Sequence, residues 1–189
     1  MENKCSICNE DLARYGNRKL KDGVLCRNCV KLCSEWLSDE DYLNRSVEDM
    51  KKHLEYRQLN LDSLDDFKPE KEVTGKYTIY FDEKASKFVV SKKKDFKKDN
   101  SDVFRYDDIK EISIFEEQYM DTGSVDLYFD IKLKDHDIDN VCFRINEFPG
   151  MEKDSTDYQN TLAKAYEYLD GFEKEKGLAF EKVEESDNG

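Results

Sequence analysis

Cys5-Ser6-Ile7-Cys8 and, after seventeen intervening residues, Cys26-Arg27-Asn28-Cys29 decide how this chain begins. Two residues between thiolates make a tight knuckle, so both sulfurs reach one ion at about 2.3 Å. Two such knuckles at this separation fall within the spacing of four-cysteine zinc sites. A redox pair or a chance grouping is the alternative, and it leaves one of the two pairs unexplained. Four thiolates complete a tetrahedron with no position left for water, so the expected Zn²⁺ is structural.

The flanking residues agree. Arg18 to Leu25 reads as a hairpin turning at Asp22-Gly23. After Cys26 the period becomes helical, with Val30, Cys33, Trp36 and Leu37 three or four residues apart. Cys29 then lies in the first turn of a helix, where the partial positive charge favours a thiolate. Knuckle, hairpin and helix together are a treble clef. Cys33, one turn past Cys29, reads as a buried apolar residue, with a spare ligand as the alternative. Cys142, between Val141 and Phe143, reads as sheet packing.

Further along, Ser46 and Asp49 form a capping box. The helix they start is expected to run to about Asn60 on an apolar stripe of Val47, Met50 and Leu54, with His53 on its surface. Residues 61–75 are acidic, contain Pro69 and are expected to be a joint. A period near two follows. Strands are expected over Tyr77–Asp82, Lys87–Ser91, Val103–Tyr106, Ile109–Glu116, Val125–Leu133 and Val141–Asn146. Thr156 and Gln159 then cap a helix whose stripe is Tyr158, Leu162, Ala165, Leu169 and Phe172, with Gly177 as its stop. The expected fold is α+β. It places a treble-clef module at 1–60, a joint at 61–75, a pleckstrin-homology-like antiparallel barrel or sheet with a C-terminal helix at 76–180, and an acidic tail at 181–189.

Of the 189 residues 40% are charged, and the net charge is −13. Residues 1–37 carry seven Lys/Arg against five Asp/Glu, a balance of +2, so the remainder carries −15. Such a chain lacks the broad positive field of nonspecific nucleic-acid binding. No apolar run approaches a membrane span, and Met1 to Cys5 lacks the apolar core of a signal peptide. The expected location is cytoplasmic, where clustered cysteines mean metal rather than disulfides.

Cys5-Ser-Ile-Cys8, Lys21-Asp-Gly-Val-Leu-Cys26-Arg-Asn-Cys29 and the helix start Ser46-Val-Glu-Asp-Met-Lys51 resemble the bacterial and phage family called domain of unknown function 4428. Ile79-Tyr-Phe-Asp-Glu83 and Val103-Phe-Arg-Tyr-Asp-Asp-Ile109 look like features of the β-rich domain that often follows it. The resemblance implies Zn²⁺ at Cys5, Cys8, Cys26 and Cys29, and implies no activity. The family commonly has Gly after the second cysteine. Here Asn9 stands there, the next most tolerant residue of a left-handed backbone.

There is no Gly-rich phosphate loop, no sequence-evident nucleophile–base set, and the two histidines are His53 and His136. His136, between Asp135 and Asp137, reads as a solvated turn. The first functional expectation is a non-enzymatic, zinc-stabilised protein that binds a protein partner, with Trp36, Tyr42, Tyr56, Tyr166 and Tyr168 as candidate contact aromatics. The second is an acidic phage-type inhibitor of a nucleic-acid-binding defence enzyme, using Asp39-Glu40-Asp41, Asp62 with Asp65-Asp66, and Glu116-Glu117 as a polyanion mimic. The third is direct binding of nucleic acid or anionic lipid through Arg14, Arg18, Lys19, Lys21 and Arg27, or through Lys92-Lys93-Lys94 with Lys97-Lys98.

Overall fold

The computed structural model describes residues 3–98, 100–134 and 137–176. The expectations for His136, Gly177 and the tail at 181–189 lie outside them.

A short hairpin, β1 (Arg18–Lys19) and β2 (Val24–Leu25), precedes α1 (Arg27–Val30). The helical period after Cys26 therefore overreaches: α1 stops at Val30, and Lys31–Ser34 turn away, the carbonyls of Lys31 and Cys33 meeting Asn100 and the backbone groups of Leu32 and Ser34 meeting Arg57 and His53. Two helices follow, α2 (Asp39–Asn44) and α3 (Val47–Asp66). Both start with full capping boxes, Ser38 with Asp41 and Ser46 with Asp49.

α3 passes the expected end at Asn60 and continues to Asp66. It stops where the chain must become extended ahead of Pro69, with Phe67 at φ −69 and ψ 125. Its buried positions are Met50, His53, Arg57, Asn60 and Leu64, a stripe stepping by three and four. The middle three are polar, which is why hydrophobic periodicity followed only the first turns.

Residues 61–75 do not form a free joint. They hold the end of α3 and a strand, β3 (Lys71–Thr74), paired antiparallel with β4 (Thr78–Asp82). β3 is the edge of a four-stranded sheet, β3-β4-β5-β6, completed by β5 (Lys87–Ser91) and β6 (Val103–Arg105). Its charged residues are typical of an edge strand and hid it from a search for apolar alternation. β4 and β5 are buried on both faces. Ile79, Phe81, Phe88 and Val90 join the main core. Tyr80 and Val89 face the other way, against Leu64 and Phe67 at the end of α3 and Phe96.

A 3-10 turn at Tyr106–Asp108 carries the chain into a second sheet, β7 (Ile109–Gln118), β8 (Val125–Leu133) and β9 (Asn140–Arg144). No strand pairing joins the two sheets among the described residues, so the barrel alternative gives way to two open antiparallel sheets. α4 (Thr156–Lys176) closes the space between them. Its N-terminus is capped one residue earlier than expected, by the Ser155 hydroxyl accepting from the Tyr158 N–H at 3.2 Å. Phe172 packs edge-on against Phe81 and Phe88 of the first sheet and also meets Phe129 of the second. The fold is α+β, with the four-cysteine module at its N-terminus.

Candidate metal centre

The knuckle is built by backbone geometry. Asn9 N–H donates to the Cys5 carbonyl at 3.0 Å, and Cys5 N–H to the Glu10 carbonyl at 2.8 Å. Asn9 has φ 60, a left-handed conformation that Asn tolerates better than any other residue except Gly. The hairpin is latched to the knuckle through Ser6, whose N–H donates to the Val24 carbonyl at 2.8 Å and whose hydroxyl accepts from Val24 N–H at 3.0 Å. Gly23 lies where a Cβ would come within 2.5 Å of Val47 and 2.6 Å of the Ser6 hydroxyl. Only Gly lets knuckle, turn and α3 meet there.

This framework brings all four sulfurs within 4.8 Å of one another. Cys5 and Cys29 Sγ are 3.7 Å apart, and Cys8 and Cys26 Sγ are 3.6 Å apart. A regular tetrahedron with metal–sulfur bonds of about 2.3 Å has edges of about 3.8 Å, so the set fits a small thiophilic ion. Cys26 N–H donates to Cys5 Sγ at 3.2 Å, and Cys29 N–H to Cys26 Sγ at 3.5 Å. Burial pushes the Cys5 thiol up, but the backbone N–H groups of Cys8, Cys26 and Ile7 outweigh it and bring the group down to about 6. Cys29 is held far above an ordinary thiol by burial and by the sulfurs of Cys8, Cys26 and Cys5. Four thiolates so close together need a cation among them. Cys33 stands outside the set. It is buried, its Sγ–H donates to the Cys29 carbonyl at 3.4 Å, and it packs in the module's own core with Met50 and Tyr42.

The segment after Cys29 delivers its polar groups to a buried seam with the β-rich half. Arg57 on α3 donates to the Leu32 carbonyl at 3.3 Å, to the Asn100 carbonyl at 3.0 Å and to Asn100 Oδ1 at 2.6 Å, and it pairs with Asp102. Asn100 Nδ2 donates to the carbonyls of Cys33 at 2.6 Å and Lys31 at 3.1 Å. Ser34 Oγ donates to Asp102 Oδ2 at 2.6 Å. Asn60 bonds both backbone groups of Val103, at 2.7 and 2.9 Å.

The expectation for His53 as a surface residue is overturned: it is fully buried. Its Nε2 accepts from the Ser34 N–H at 3.0 Å, which leaves Nδ1–H to donate to Asp137. Arg45 holds the other Asp137 oxygen at 3.1 Å. Burial pushes Asp137 up, but His53 and Arg45 outweigh it and keep the carboxyl below its usual range. Ser34, His53 and Asp137 are residue types of a hydrolytic triad, yet the serine hydroxyl points to Asp102 rather than to the imidazole. The arrangement ties two layers together, with the imidazole nitrogen taken by the Ser34 backbone N–H instead of its hydroxyl. Arg45, Arg57, Asn100, Asp102 and Asp137 were missed as a group because their partners are distant in sequence. The one local signal was that α3's stripe continues at 53, 57 and 60.

The other nominated residues disperse. Tyr42 and Tyr168 are core, Trp36 packs on Tyr77 and Phe143, and Tyr56 faces the seam, while Tyr166 is exposed. Asp39 pairs with Arg18 at 2.9 Å and Asp41 serves a capping box, while Glu116 takes Lys153 at 3.1 Å. In the basic loop Lys92 meets Glu35 at 3.6 Å, Lys98 meets Asp95 at 2.8 Å, and Lys97 donates to the Asp65 carbonyl at 3.3 Å. Cys142 lies half-buried on β9, its thiol pushed up to about 12 by burial and by nearby Asp130. No helix among the described residues is long and apolar enough to cross a membrane.

No curated protein and no solved structure matches the chain. The family model described as Domain of unknown function (DUF4428) matches residues 4–53, so it is the N-terminal module, with all four sulfurs, the hairpin and the first two turns of α3, that is similar to this family.

Proposed function

We propose that the four cysteines hold one structural Zn²⁺ and that the protein is a non-enzymatic module for binding a protein partner. Zinc suits a closed set of four thiolates and would supply folding energy to a segment whose own apolar core is small. The observation that carries the partner reading is a division of labour among side chains. Among the groups with catalytic potential, Ser34, His53 and Asp102 are buried and Asp137 is half-buried, and the four are committed to one another. Large apolar side chains stand in solvent instead, Leu59 at 69%, Phe148 at 79% and Met120 at 95% exposure. Exposed apolar anchors lose little by binding and gain the area they bury.

The test is affinity capture by the tagged chain from a nuclease-treated bacterial lysate, washed at low and then high salt, with elemental analysis of the purified protein. The expected result is one zinc per chain and a stoichiometric protein that survives high salt. Protein free of zinc yet folded over residues 4–53 would overturn the metal assignment. An empty eluate, or a nucleic-acid enzyme released by salt, would overturn the partner reading; the latter outcome would favour polyanion mimicry.

A further inference from the structure

One end of the second sheet is fixed more firmly than its exposed residues require. Two loops meet there, the β7–β8 turn at 119–124 and the β9–α4 connection at 145–155. Val125 and Met151 exchange both backbone hydrogen bonds, at 2.8 and 2.9 Å. Beneath them is Asp126, with no exposed surface. Its Oδ1 accepts from the Gly150 N–H and from Asn146 Nδ2, each at 2.7 Å. Its Oδ2 accepts from the Tyr119 hydroxyl at 2.8 Å and Arg144 at 3.1 Å. Asn146 Nδ2 also donates to the Phe148 carbonyl at 2.6 Å. One buried carboxylate thus ties down both Tyr119, next to Met120, and the backbone around Phe148.

On this base stand Met120 and Phe148, the two most exposed large apolar side chains among the described residues. Around them are Glu117, Asp121, Glu147 and Glu152, all exposed. Residues 117–124 and 146–152 contain no Lys or Arg. The cations that reach this end from other segments are engaged, Lys153 with Glu116, Arg144 with Asp126, and Lys76 with the Asn146 carbonyl at 3.2 Å, beside Glu147. On the same face of β7 and β8, Phe115 stacks on Tyr128 at 5.2 Å and extends the apolar surface away from the tip.

We propose that this tip is the docking surface for the partner, and that the partner presents an apolar recess rimmed by Lys and Arg. This rests on the partner reading above and locates it. Met120 and Phe148 fill the recess as anchors. Because their backbones are pre-ordered, little conformational entropy is lost on docking. The carboxylates steer the encounter and reject acidic surfaces. The same four charges oppose an anionic membrane or a nucleic acid.

The test is site-specific photo-crosslinking of the full chain. A photoreactive phenylalanine analogue is placed at Met120 or Phe148, and in parallel at Leu59 or Tyr15, which are similarly exposed but remote from the tip. The expected result is an adduct from 120 and 148 only, to a Lys/Arg-rich peptide of one protein. Its yield should fall at least about tenfold in Asp121→Lys/Glu147→Lys, a charge reversal worth about 1.4 kcal/mol or more. Thermal melting of each variant should match the parent, since these side chains are in solvent. Adducts from Leu59 or Tyr15 with none from the tip would overturn this surface and leave the partner reading standing. No adduct from any position would count against both. An adduct of twice the chain mass, or flotation with phosphatidylserine vesicles, would overturn the basic-partner assignment.

Discussion

Asp102→Asn should be among the most damaging single-atom changes available in this protein. Arg57 is 2% exposed and Asp102 is fully buried. Among the described residues the carboxylate is the one negative group that Arg57 pairs with, its other acceptors being Leu32, Ser101 and Asn100. Removing one partner of a buried pair leaves an uncompensated charge, at a cost of about 3–5 kcal/mol. Asparagine keeps the shape and one acceptor, which places the expected loss near the lower end, about 3 kcal/mol. For a chain of this length that corresponds to a fall in Tm of roughly 6–12 °C. The chain's one tryptophan provides the assay. Trp36 packs on Tyr77 and Phe143 across the seam, so urea unfolding followed by its fluorescence reports separation of the two halves. Arg57→Met and the double variant complete a cycle. Because the double variant leaves no buried charge, its loss should be smaller than the sum of the two singles by about 1.5 kcal/mol or more. A loss below about 1 kcal/mol for Asp102→Asn, with strict additivity in the double variant, would refute the claim that this ion pair holds the seam.

Two further outcomes follow from the packing and the charges. Gly171→Ala in α4 should destabilise by about 1–3 kcal/mol, although Gly-to-Ala in a helix ordinarily gains up to about 1 kcal/mol; the new Cβ would sit 2.6 Å from Phe81 Cζ, and urea denaturation reads the sign directly. Asp126 and Asp130 should behave oppositely with pH. Burial raises Asp126, but the donors Gly150, Asn146, Tyr119 and Arg144 outweigh it and keep it below the usual range. Its contribution to stability is therefore present above about pH 4 and lost as pH falls through the folded value, so Asp126→Asn should melt earlier at pH 7 and lose less on acidification. Asp130 is raised by burial, so its ionisation costs stability as pH rises; Asp130→Asn should melt later than the parent at pH 7, with the gain vanishing in acid. Thermal melts between about pH 3 and 8 check both signs.

What the structure changed bears on the metal site as well as on the β-rich half. From sequence, loss of the metal would be expected to unfold the module and leave the remainder intact. The seam argues otherwise. Lys31, Leu32, Cys33 and Ser34, which follow Cys29 directly, supply partners to Arg57, Asn100 and Asp102. Freeing Cys29 would therefore be felt at β6, about seventy residues along the chain.

The sequence by itself determined the local chemistry. Two cysteine pairs name their own ligand geometry, Asp22-Gly23 names a turn, and Ser46 with Asp49 names a helix start. Alternating apolar runs placed six strands close to their observed limits. Each of these depends on residues a few positions apart, where backbone sterics and hydrogen-bond reach leave little choice. The tertiary structure decided what lies between those pieces. β3 is visible only through its pairing with β4, because an edge strand does not need an apolar face. The polar stretch His53, Arg57 and Asn60 is buried rather than solvated because Asp137, Asp102 and Val103 complement it from across the fold. Burial of a polar side chain depends on whether a partner of the right charge arrives from elsewhere in the chain, and no local pattern records that arrival.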